Sequence, residues 1–292
     1  MTVKKAIIPV GGLGTRFLPL SKVVPKELWP LVDEPVIQRI IAEAKDSGIE
    51  EITFVLSPGN KKILDYLKPS PEIEKVLKKR KGKKLLDEYK KFKDLFSNIT
   101  FNSVIQKKPS GDGHAILQAV KHMNGEPVVC LFADDIVETK IPCPMQIMKV
   151  FKTCQKPVVA LYRLPREKLP SYGIVKVEKI ANRFFKIKGI IEKPSLAEAP
   201  SDLAIVGKYI LTPEVFEYLR RARPNSKGEI ILAEVMGKML QDGKLIYGYE
   251  IEGKWLECGS KLEWLKSHLY LSLKDSRFGP ELKKFLKEEK LI

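Results

Sequence analysis

The chain has 292 residues, of which 44% are hydrophobic and 30% charged, and its formal net charge is +16. This length allows one large domain or two small ones. The sequence has no apolar stretch long enough to span a membrane and no apolar signal segment at its start, so we expect a cytoplasmic protein. The scattered cysteines Cys130, Cys143, Cys154 and Cys258 fit reduced thiols better than a disulfide framework or a zinc site.

The first half of the chain alternates strand-like and helix-like segments. Strands are predicted at 6–10, 52–56, 99–106 and 128–132, and helices at 36–45, within the basic segment 75–93, and at 113–123. This alternation favours βαβ units and a mostly parallel sheet covered on both faces. Ligands of such sheets bind at the carboxyl ends of the strands. The residues that follow each predicted strand are therefore expected to meet at one edge.

Segment 75–93 carries the densest positive charge. Its apolar residues recur at helical spacing, which predicts two short amphipathic helices with a solvated basic face. An acidic partner surface or nucleic acid is the alternative ligand for this face. Nucleic acid is disfavoured because the segment offers no aromatic stacking platform and no known binding motif.

From residue 172 the pattern changes to consecutive strands. Strands are predicted at 173–178, 184–192, 204–211 and 245–251, and helices at 213–221, 229–240 and 262–273. The last helix has Leu262, Leu265, Leu269 and Leu273 along one side. We expect one domain over 1–278, with halves that meet near residue 155, and a helical tail at 279–292.

A glycine-rich loop follows the first predicted strand, with the sequence VGGLGTRFLP at 10–19 and PKE at 25–27. Backbone N–H groups and cationic side chains of this kind are typical of phosphate binding. The candidate phosphate-binding residues are Gly11, Gly12, Gly14, Arg16 and Lys26. The loop lacks the ending of the ATPase P-loop. It also departs from the dinucleotide fingerprint, because Pro19 and Pro25 interrupt any helix. An ordinary glycine turn would explain the glycines but not the two cations.

Polar side chains also follow two later strands. Asp134 and Asp135 come after strand 128–132, where carboxylate oxygens suit Mg²⁺, although a helix N-cap is the alternative role. Gln106 ends strand 99–106, and its amide can both accept and donate, as reading the N3–H and O4 edge of uracil requires. A Gln at a strand end is otherwise usually solvated.

Together these motifs resemble the sugar-1-phosphate nucleotidylyltransferases, and the glycine-rich loop is most similar to their bacterial uridylyltransferase branch. Further similar segments follow in the same order, at 106–115, 134–137, 172–175, 191–194, 203–209 and 228–230. The resemblance covers about residues 4–264. It implies a Rossmann-like α/β fold, with a mostly parallel or mixed sheet, flanking helices and a β-rich sugar-binding insertion. The half before residue 155 would bind the nucleotide and the half from 156 the sugar.

The implied reaction transfers the uridylyl group of UTP to α-D-glucose 1-phosphate, giving UDP-glucose and pyrophosphate, with Mg²⁺ as cofactor and a homodimer or homotetramer as the assembly. The attacking phosphate is already an anion, so the site needs positioning and charge neutralisation, and neither a general base nor a covalent enzyme intermediate. His114 is therefore interpreted as structural. Related enzymes that use dTTP, CTP or GTP, and a non-catalytic paralogue that binds UDP-sugar, are the alternatives.

The resemblance also implies roles for individual residues. Arg16, Lys26 and Lys193 would act on the reacting phosphates, and Gly11, Gly12, Gly14, Gln106 and Gly111 would bind the nucleotide. Asp135, Gly173 and Glu192 would contact the sugar, and Asp134 and Glu257 would hold the metal. Glu257 departs from the family, which usually has Asp there, so ligation through a water is an alternative. Ser260 also departs from the family, which commonly has Asp or Thr there, and these two departures motivate the non-catalytic alternative.

Overall fold

The computed structural model describes residues 2–80 and 83–291. The strands are β1 (Lys5–Val10), β2 (Pro30–Leu31), β3 (Glu34–Pro35), β4 (Glu51–Leu56), β5 (Thr100–Ile105), β6 (Val128–Leu131), β7 (Asp135–Glu138), β8 (Val158–Arg163), β9 (Gly173–Ala181), β10 (Phe184–Glu192), β11 (Leu203–Leu211), β12 (Tyr247–Glu250) and β13 (Lys254–Glu257). The α-helices are α1 (Val36–Asp46), α2 (Lys62–Leu67), α3 (Pro71–Lys79), α4 (Lys83–Leu95), α5 (Asp112–Gln118), α6 (Cys143–Cys154), α7 (Pro213–Arg221), α8 (Leu232–Gln241), α9 (Lys261–Lys274) and α10 (Gly279–Glu288). In the described part of the chain, none of these helices has the length and hydropathy needed to cross a membrane.

Nine strands form one mixed sheet in the order β5-β4-β1-β6-β11-β8-β12-β10-β9. The first four run parallel, as the alternating sequence predicts. Strand β11 is antiparallel to both β6 and β8, and β10 pairs antiparallel with β9 and β12. The β-rich insertion therefore extends the sheet of the first half. The expected α/β fold with a mixed sheet and flanking helices is confirmed.

The central strands are buried on both faces, which explains their unbroken apolar sequences. Ala6 and Ile8 of β1 point into one core together with α1, whereas Ile7 between them points into the other core. Helix α1 buries the predicted stripe against the first core: Val36, Ile37, Ile40, Ile41 and Ala44. The alternating side chains of β1 and the helical period of α1 thus determine which core each residue enters.

The basic segment 75–93 forms two helices, α3 and α4, as predicted. Phe92 of α4 packs against Tyr66 and Phe96, with ring centroids 5.3 and 5.0 Å apart. The lysines of both helices point mostly into solvent. Lys81 and Gly82, at the centre of the predicted basic run, lie outside the described residues.

Helix α9 confirms the predicted helix at 262–273, and three of the four leucines on the side named above are exposed. Leu262, Leu265 and Leu269 are 60%, 54% and 51% exposed, and the buried positions of the helix are Ser267, Leu271 and Ser272. Helix α6 and strand β8 are absent from the predictions above. Strand β8 is a short apolar run, which periodicity alone cannot distinguish from a buried helical segment.

A buried ion pair fastens α1 to the middle of the sheet. Lys208 of β11 is fully buried, and its Nζ lies 2.6 Å from Oε2 of Glu43 on α1. The other oxygen of Glu43 accepts a hydrogen bond from the backbone N–H of Cys143, 3.3 Å away, at the start of α6. One carboxylate thus joins α1, β11 and α6, and each of its oxygens has a partner.

Replacing one member of this pair should destabilise the protein strongly. We expect Lys208→Met to lower the free energy of unfolding by about 3–5 kcal/mol, because it leaves the Glu43 carboxylate buried without its cation. The double variant Lys208→Met/Glu43→Leu should recover much of this loss, since no charge remains buried. Denaturant unfolding measures both, with Lys4→Met as the control: its pair with Glu50 is at the surface, where loss costs less than about 1 kcal/mol. Equal destabilisation by the buried and surface variants would contradict this role.

Candidate active site

The carboxyl ends of three parallel strands supply the centre of the candidate site. Strand β1 ends before Gly11, β5 before Gln106, and β6 shortly before Asp134. Two cavities of about 390 and 300 Å³ lie over this edge of the sheet. Asp112, Phe132 and Asp134 line both cavities, so the two are contiguous. The prediction that these strand ends meet at one edge is confirmed.

The two cavities divide the predicted residues into two groups. The larger cavity is lined by the predicted nucleotide residues and the first lysine: Gly11, Gly12, Lys26, Gln106 and Gly111. The smaller is lined by the predicted sugar and metal residues with two cations: Arg16, Asp134, Asp135, Gly173, Glu192, Lys193 and Glu257. Gly14 is the exception, because it is not among the described residues that line either cavity. Its φ of 62° instead lets the chain enter the 3-10 turn Thr15–Phe17.

Gly111 is required by close packing between two segments of the larger cavity. Its φ is 94°, and a Cβ placed on it would lie 2.3 Å from the carbonyl oxygen of Ile230. The backbone around it is fixed to the same segment, since the Ile230 N–H donates to Ser110 O at 2.9 Å and Gly113 N–H donates to Ile230 O at 2.9 Å. The segment before α8 is thereby held against the start of α5.

An ion pair between Lys26 and Asp134 lies where the two cavities meet. Burial alone would raise the pKa of Asp134, but the Lys26 ammonium outweighs it and holds that pKa below its usual value. Burial would likewise lower the pKa of Lys26, yet the carboxylate raises it to about 12. Both groups are therefore ionised at neutral pH.

Glu257 brings a second carboxylate to Asp134. Its Oε2 accepts a hydrogen bond of 2.7 Å from the Tyr172 hydroxyl. A Cβ built on Gly259 would lie 2.9 Å from Glu257 Oε1 and 3.2 Å from Asp134 Oδ2, so oxygens of both carboxylates converge over this glycine. Because Gly259 has no side chain, the space between the two carboxylates stays open.

These two carboxylates fit a divalent cation. Within residues 2–80 and 83–291, no cluster of three or more His, Cys, Asp or Glu side chains is arranged to hold a metal ion by itself. Mg²⁺ is usually bound through one or two carboxylates together with substrate phosphates. The convergence of Asp134 and Glu257 beside cationic side chains matches that donor set.

Asp135 is held in a different state from its neighbour. Its Oδ1 accepts a hydrogen bond of 2.7 Å from the indole N–H of Trp255. Burial and the adjacent Asp134 carboxylate raise the pKa of Asp135 to about 7. On its other side, a Cβ on Gly207 would lie only 2.2 Å from Asp135 Oδ2. Asp135 is thus wedged between an indole and a strand that has no side chain at this point.

The far side of the smaller cavity is formed by the end of β10. Glu192 is paired in register with Gly173, and a Cβ on that glycine would lie 2.9 Å from Glu192 Oε2. Lys193 follows with a φ of 50°, and its Nζ lies 3.4 Å from Glu192 Oε1. Arg16 is exposed and completes the lining of this cavity. The structure thus brings together three separate segments of the chain, which carry Arg16, Gly173 and the adjacent pair Glu192 and Lys193.

Several lining residues were not singled out as site residues by the sequence. Asp112 lines both cavities. Its Oδ1 accepts hydrogen bonds from the backbone N–H groups of Gly113 and Leu232, at 2.6 and 2.9 Å. Burial raises the pKa of Asp112 to about 6, because it outweighs these bonds, which lower that pKa. Trp255 orients the carboxylate of Asp135. Tyr172, which lies in the similar segment 172–175 and whose contact with Glu257 was not predicted, orients that carboxylate. Their contacts join distant segments, so local spacing carries no signal for them.

The comparisons with known proteins agree with this geometry. A model of the nucleotidyl transferase family matches residues 5–271. The UTP–glucose-1-phosphate uridylyltransferase of Staphylococcus haemolyticus (strain JCSC1435) is 39% identical, over 98% of this chain and 98% of that protein. The UTP-bound UGPase from Acinetobacter baumannii is similar in structure, with a TM-score of 0.89 and 32% identity over 98% of this chain and 99% of that one. A UDP-glucose pyrophosphorylase complexed with UDP-glucose has a TM-score of 0.84 and 31% identity over 94% of this chain and 100% of that one.

The chain therefore belongs to the nucleotidyl transferase family, which confirms the resemblance carried by its motifs. The family match spans both cavities, from the loop after β1 to the segment after β13.

The close approach of Gly207 to Asp135 gives a direct test of the smaller cavity. We expect Gly207→Ala to reduce kcat/KM for nucleotidyl transfer by at least about tenfold, because the added Cβ would also lie 2.7 Å from Phe132 Cβ and must displace that side chain or Asp135. Gly237→Ala is the matched control, since Gly237 lies within α8 and a Cβ at this position meets nothing within 4 Å. Steady-state kinetics and thermal unfolding of both variants make the comparison. Wild-type kinetics for Gly207→Ala would show that this approach does not shape the site.

Proposed function

We propose that this protein transfers the uridylyl group of UTP to α-D-glucose 1-phosphate and releases UDP-glucose and pyrophosphate. The observation that carries the proposal is the Lys26–Asp134 pair at the junction of two contiguous cavities. A reaction between two anionic substrates needs fixed charge at the place where they meet. The substrates follow from the relatives, one of which is named for UTP and glucose 1-phosphate and one of which was solved with UDP-glucose.

The transfer needs one bond formed and one broken at the α-phosphorus of UTP. A phosphate oxygen of glucose 1-phosphate attacks, and the oxygen that bridges the α- and β-phosphates leaves with pyrophosphate. No proton has to move, since the nucleophile is already an anion. Lys26 would hold the triphosphate from the larger cavity, and Lys193 would hold the sugar phosphate from the smaller one. Arg16, on the smaller cavity, would neutralise charge that builds up during the transfer.

Two further groups would fix the sugar. Glu192 is placed to accept hydrogen bonds from sugar hydroxyls, because its carboxylate lines the smaller cavity beside the bare backbone of Gly173. Asp135, oriented by Trp255, would provide the second polar contact. On the nucleotide side, Gly11, Gly12 and Gly111 would let the backbone approach the base and ribose closely, and Gln106 would accept a hydrogen bond from the base.

We propose that Asp134 and Glu257 hold Mg²⁺. A cation held there would neutralise charge on the triphosphate and help to align its α-phosphate. Asp134 stays ionised because Lys26 lies against it. Tyr172 orients Glu257, whose other oxygen, Oε1, is directed to the same space. The longer Glu side chain thus reaches the position beside Gly259 in spite of its departure from the family pattern.

We further propose a cytoplasmic homodimer or homotetramer in which 1–278 form one domain. The nine-stranded sheet runs through both proposed halves, and α10 packs on α9 as the start of the tail. The free thiols of Cys130, Cys143, Cys154 and Cys258 suit a reducing compartment.

A substrate matrix tests the proposed activity. The purified wild-type protein is assayed with UTP, dTTP, CTP and GTP against a set of sugar 1-phosphates, with pyrophosphate release as the readout. The highest kcat/KM should belong to UTP with glucose 1-phosphate. A clear preference for another nucleotide would replace the substrate assignment, and no turnover with any pair would favour the non-catalytic paralogue.

Asp134→Asn tests the centre of the site. The variant keeps the size of the side chain but removes the charge that pairs with Lys26, and we expect kcat to fall more than about tenfold, a barrier increase above ~1.4 kcal/mol. Asp87→Asn is the control, since that carboxylate is exposed on α4. The melting temperatures establish that both variants fold. Retention of more than about a tenth of wild-type kcat would exclude Asp134 from the chemistry.

The metal role of Glu257 is tested through the dependence of kcat/KM on Mg²⁺ concentration. Glu257→Ala should need sharply more Mg²⁺, because a carboxylate beside Asp134 is lost. Glu257→Asp should stay close to wild type, since it keeps the carboxylate and has the length usual in the family. Tyr172→Phe separates ligation from orientation, because it removes only the hydroxyl that donates to Glu257. Identical Mg²⁺ curves for the wild type and Glu257→Ala would rule out a ligand role.

A further inference from the structure

The side-chain amide of Gln106 is held by two contacts from its nitrogen. Nε2 donates to the carbonyl oxygen of Gly111 at 3.0 Å and lies 2.9 Å from Nδ1 of His114. Gln106 is 6% exposed and lines the larger cavity. A primary amide has two N–H donors, so both are used within the protein. Oε1 is the atom of this amide that has no partner among the described residues.

The Gly111 carbonyl decides the protonation pattern of the His114 ring. A carbonyl oxygen can only accept, so the atom that faces it must be the amide nitrogen of Gln106. The same nitrogen faces His114 Nδ1, which must therefore be the unprotonated, accepting nitrogen of a neutral imidazole. The hydrogen is then on Nε2, which faces the side-chain amide of Gln118. The Gln118 nitrogen lies 3.1 Å from that ring atom and donates to the backbone carbonyl oxygen of His114 at 3.3 Å. A neutral imidazole accepts at one nitrogen only, so one of the two amides has to turn. Gln106 keeps its orientation because its bond to Gly111 O is the shorter one, at 3.0 Å, and Gln118 turns its oxygen toward Nε2.

This arrangement determines what the larger cavity offers to a base. Uracil carries a hydrogen on N3, which a carbonyl oxygen accepts, whereas N3 of cytosine is itself an acceptor and is repelled by that oxygen. If Gln106 rotated by half a turn about its last bond, it would present N–H donors and the preference would reverse. The Gln106 orientation is thus the element that separates the two pyrimidines. Without His114, the Gly111 carbonyl would be the one remaining contact among residues 2–80 and 83–291 that resists this rotation.

We propose that His114 is a specificity-determining positioning residue, which selects uracil over cytosine by holding the Gln106 amide with its oxygen toward the base. The inference rests on the proposed uridylyl transfer. It differs from the structural role that the sequence indicated for His114, because its effect is on the choice of nucleotide. His114 acts through Gln106 and takes no part in the bond changes at phosphorus.

The variants His114→Leu and His114→Asn separate this role from simple packing. Leu fills a similar space but accepts no hydrogen bond, so the ratio of kcat/KM for UTP to that for CTP should fall about tenfold, mainly through a higher KM for UTP. Asn places an amide oxygen near the position of Nδ1 and should restore most of the ratio. His268→Leu is the control, because that imidazole lies outside both cavities and contacts Pro30 O at 3.1 Å.

A measurement on the wild-type protein does not depend on how the variants fold. The chain has 3 histidines, so long-range ¹H–¹⁵N correlation spectra at a pH of about 8.5, where imidazoles are neutral, resolve each ring. The His114 signals are identified by their loss in His114→Asn. We expect the tautomer with hydrogen on Nε2 and a bare Nδ1. The opposite tautomer would overturn the proposal.

The outcomes distinguish this inference from the proposed function. If the wild type does not use UTP in the substrate matrix, the proposed function fails. If it uses UTP and His114→Leu lowers turnover with UTP and CTP equally, His114 is only structural and the inference fails. A selective fall in the UTP to CTP ratio with rescue by Asn supports both.

Discussion

The ion pair between Lys26 and Asp134 is the interaction on which the site depends. Lys26 comes from the loop after β1 and Asp134 from the end of β6, so their contact joins two strand ends at the point where both cavities meet. Burial alone would raise the pKa of the Asp134 carboxyl. Because Lys26 lies against it, Asp134 remains an anion that can hold a cation. The neighbouring Asp135 forms no ion pair with a cation of the described residues, and burial and the Asp134 carboxylate raise its pKa to about 7.

The rest of the fold holds these charges in place. The mixed sheet carries the strand ends of the first half directly into the β-rich insertion, so β6 and β11 lie side by side. On β11, Gly207 leaves room for Asp135, and the next residue, Lys208, turns to the other side and pairs with Glu43 on α1. Successive side chains of β11 point to opposite faces of the sheet, so one residue of this strand borders the cavity and the next anchors a helix.

The sequence predicted the features that depend on local pattern. The alternation of strands and helices, the glycine-rich loop, and the placement of Gln106 and Asp134 at strand ends all follow from short-range signals, and the structure confirms them. Contacts between distant segments carry no such signal. The bond from Tyr172 to Glu257, the wedge of Gly207 against Asp135 and the tie from Gln106 to His114 exist only once the chain is folded. Spacing also could not show that Gly14 shapes the loop, or that Leu262, Leu265 and Leu269 of α9 face outward.

The arrangement supports a direct transfer between two bound anions. In such a transfer, charged side chains position and neutralise the substrates, and no side chain of the protein acts as a nucleophile. The stereochemistry at the α-phosphorus tests this most directly. One diastereomer of UTP with sulfur at the α-phosphate is converted with glucose 1-phosphate, and the configuration of the product is determined by ³¹P NMR. A single in-line displacement predicts inversion. Retention would require two displacements through a covalent enzyme intermediate and would contradict the direct transfer.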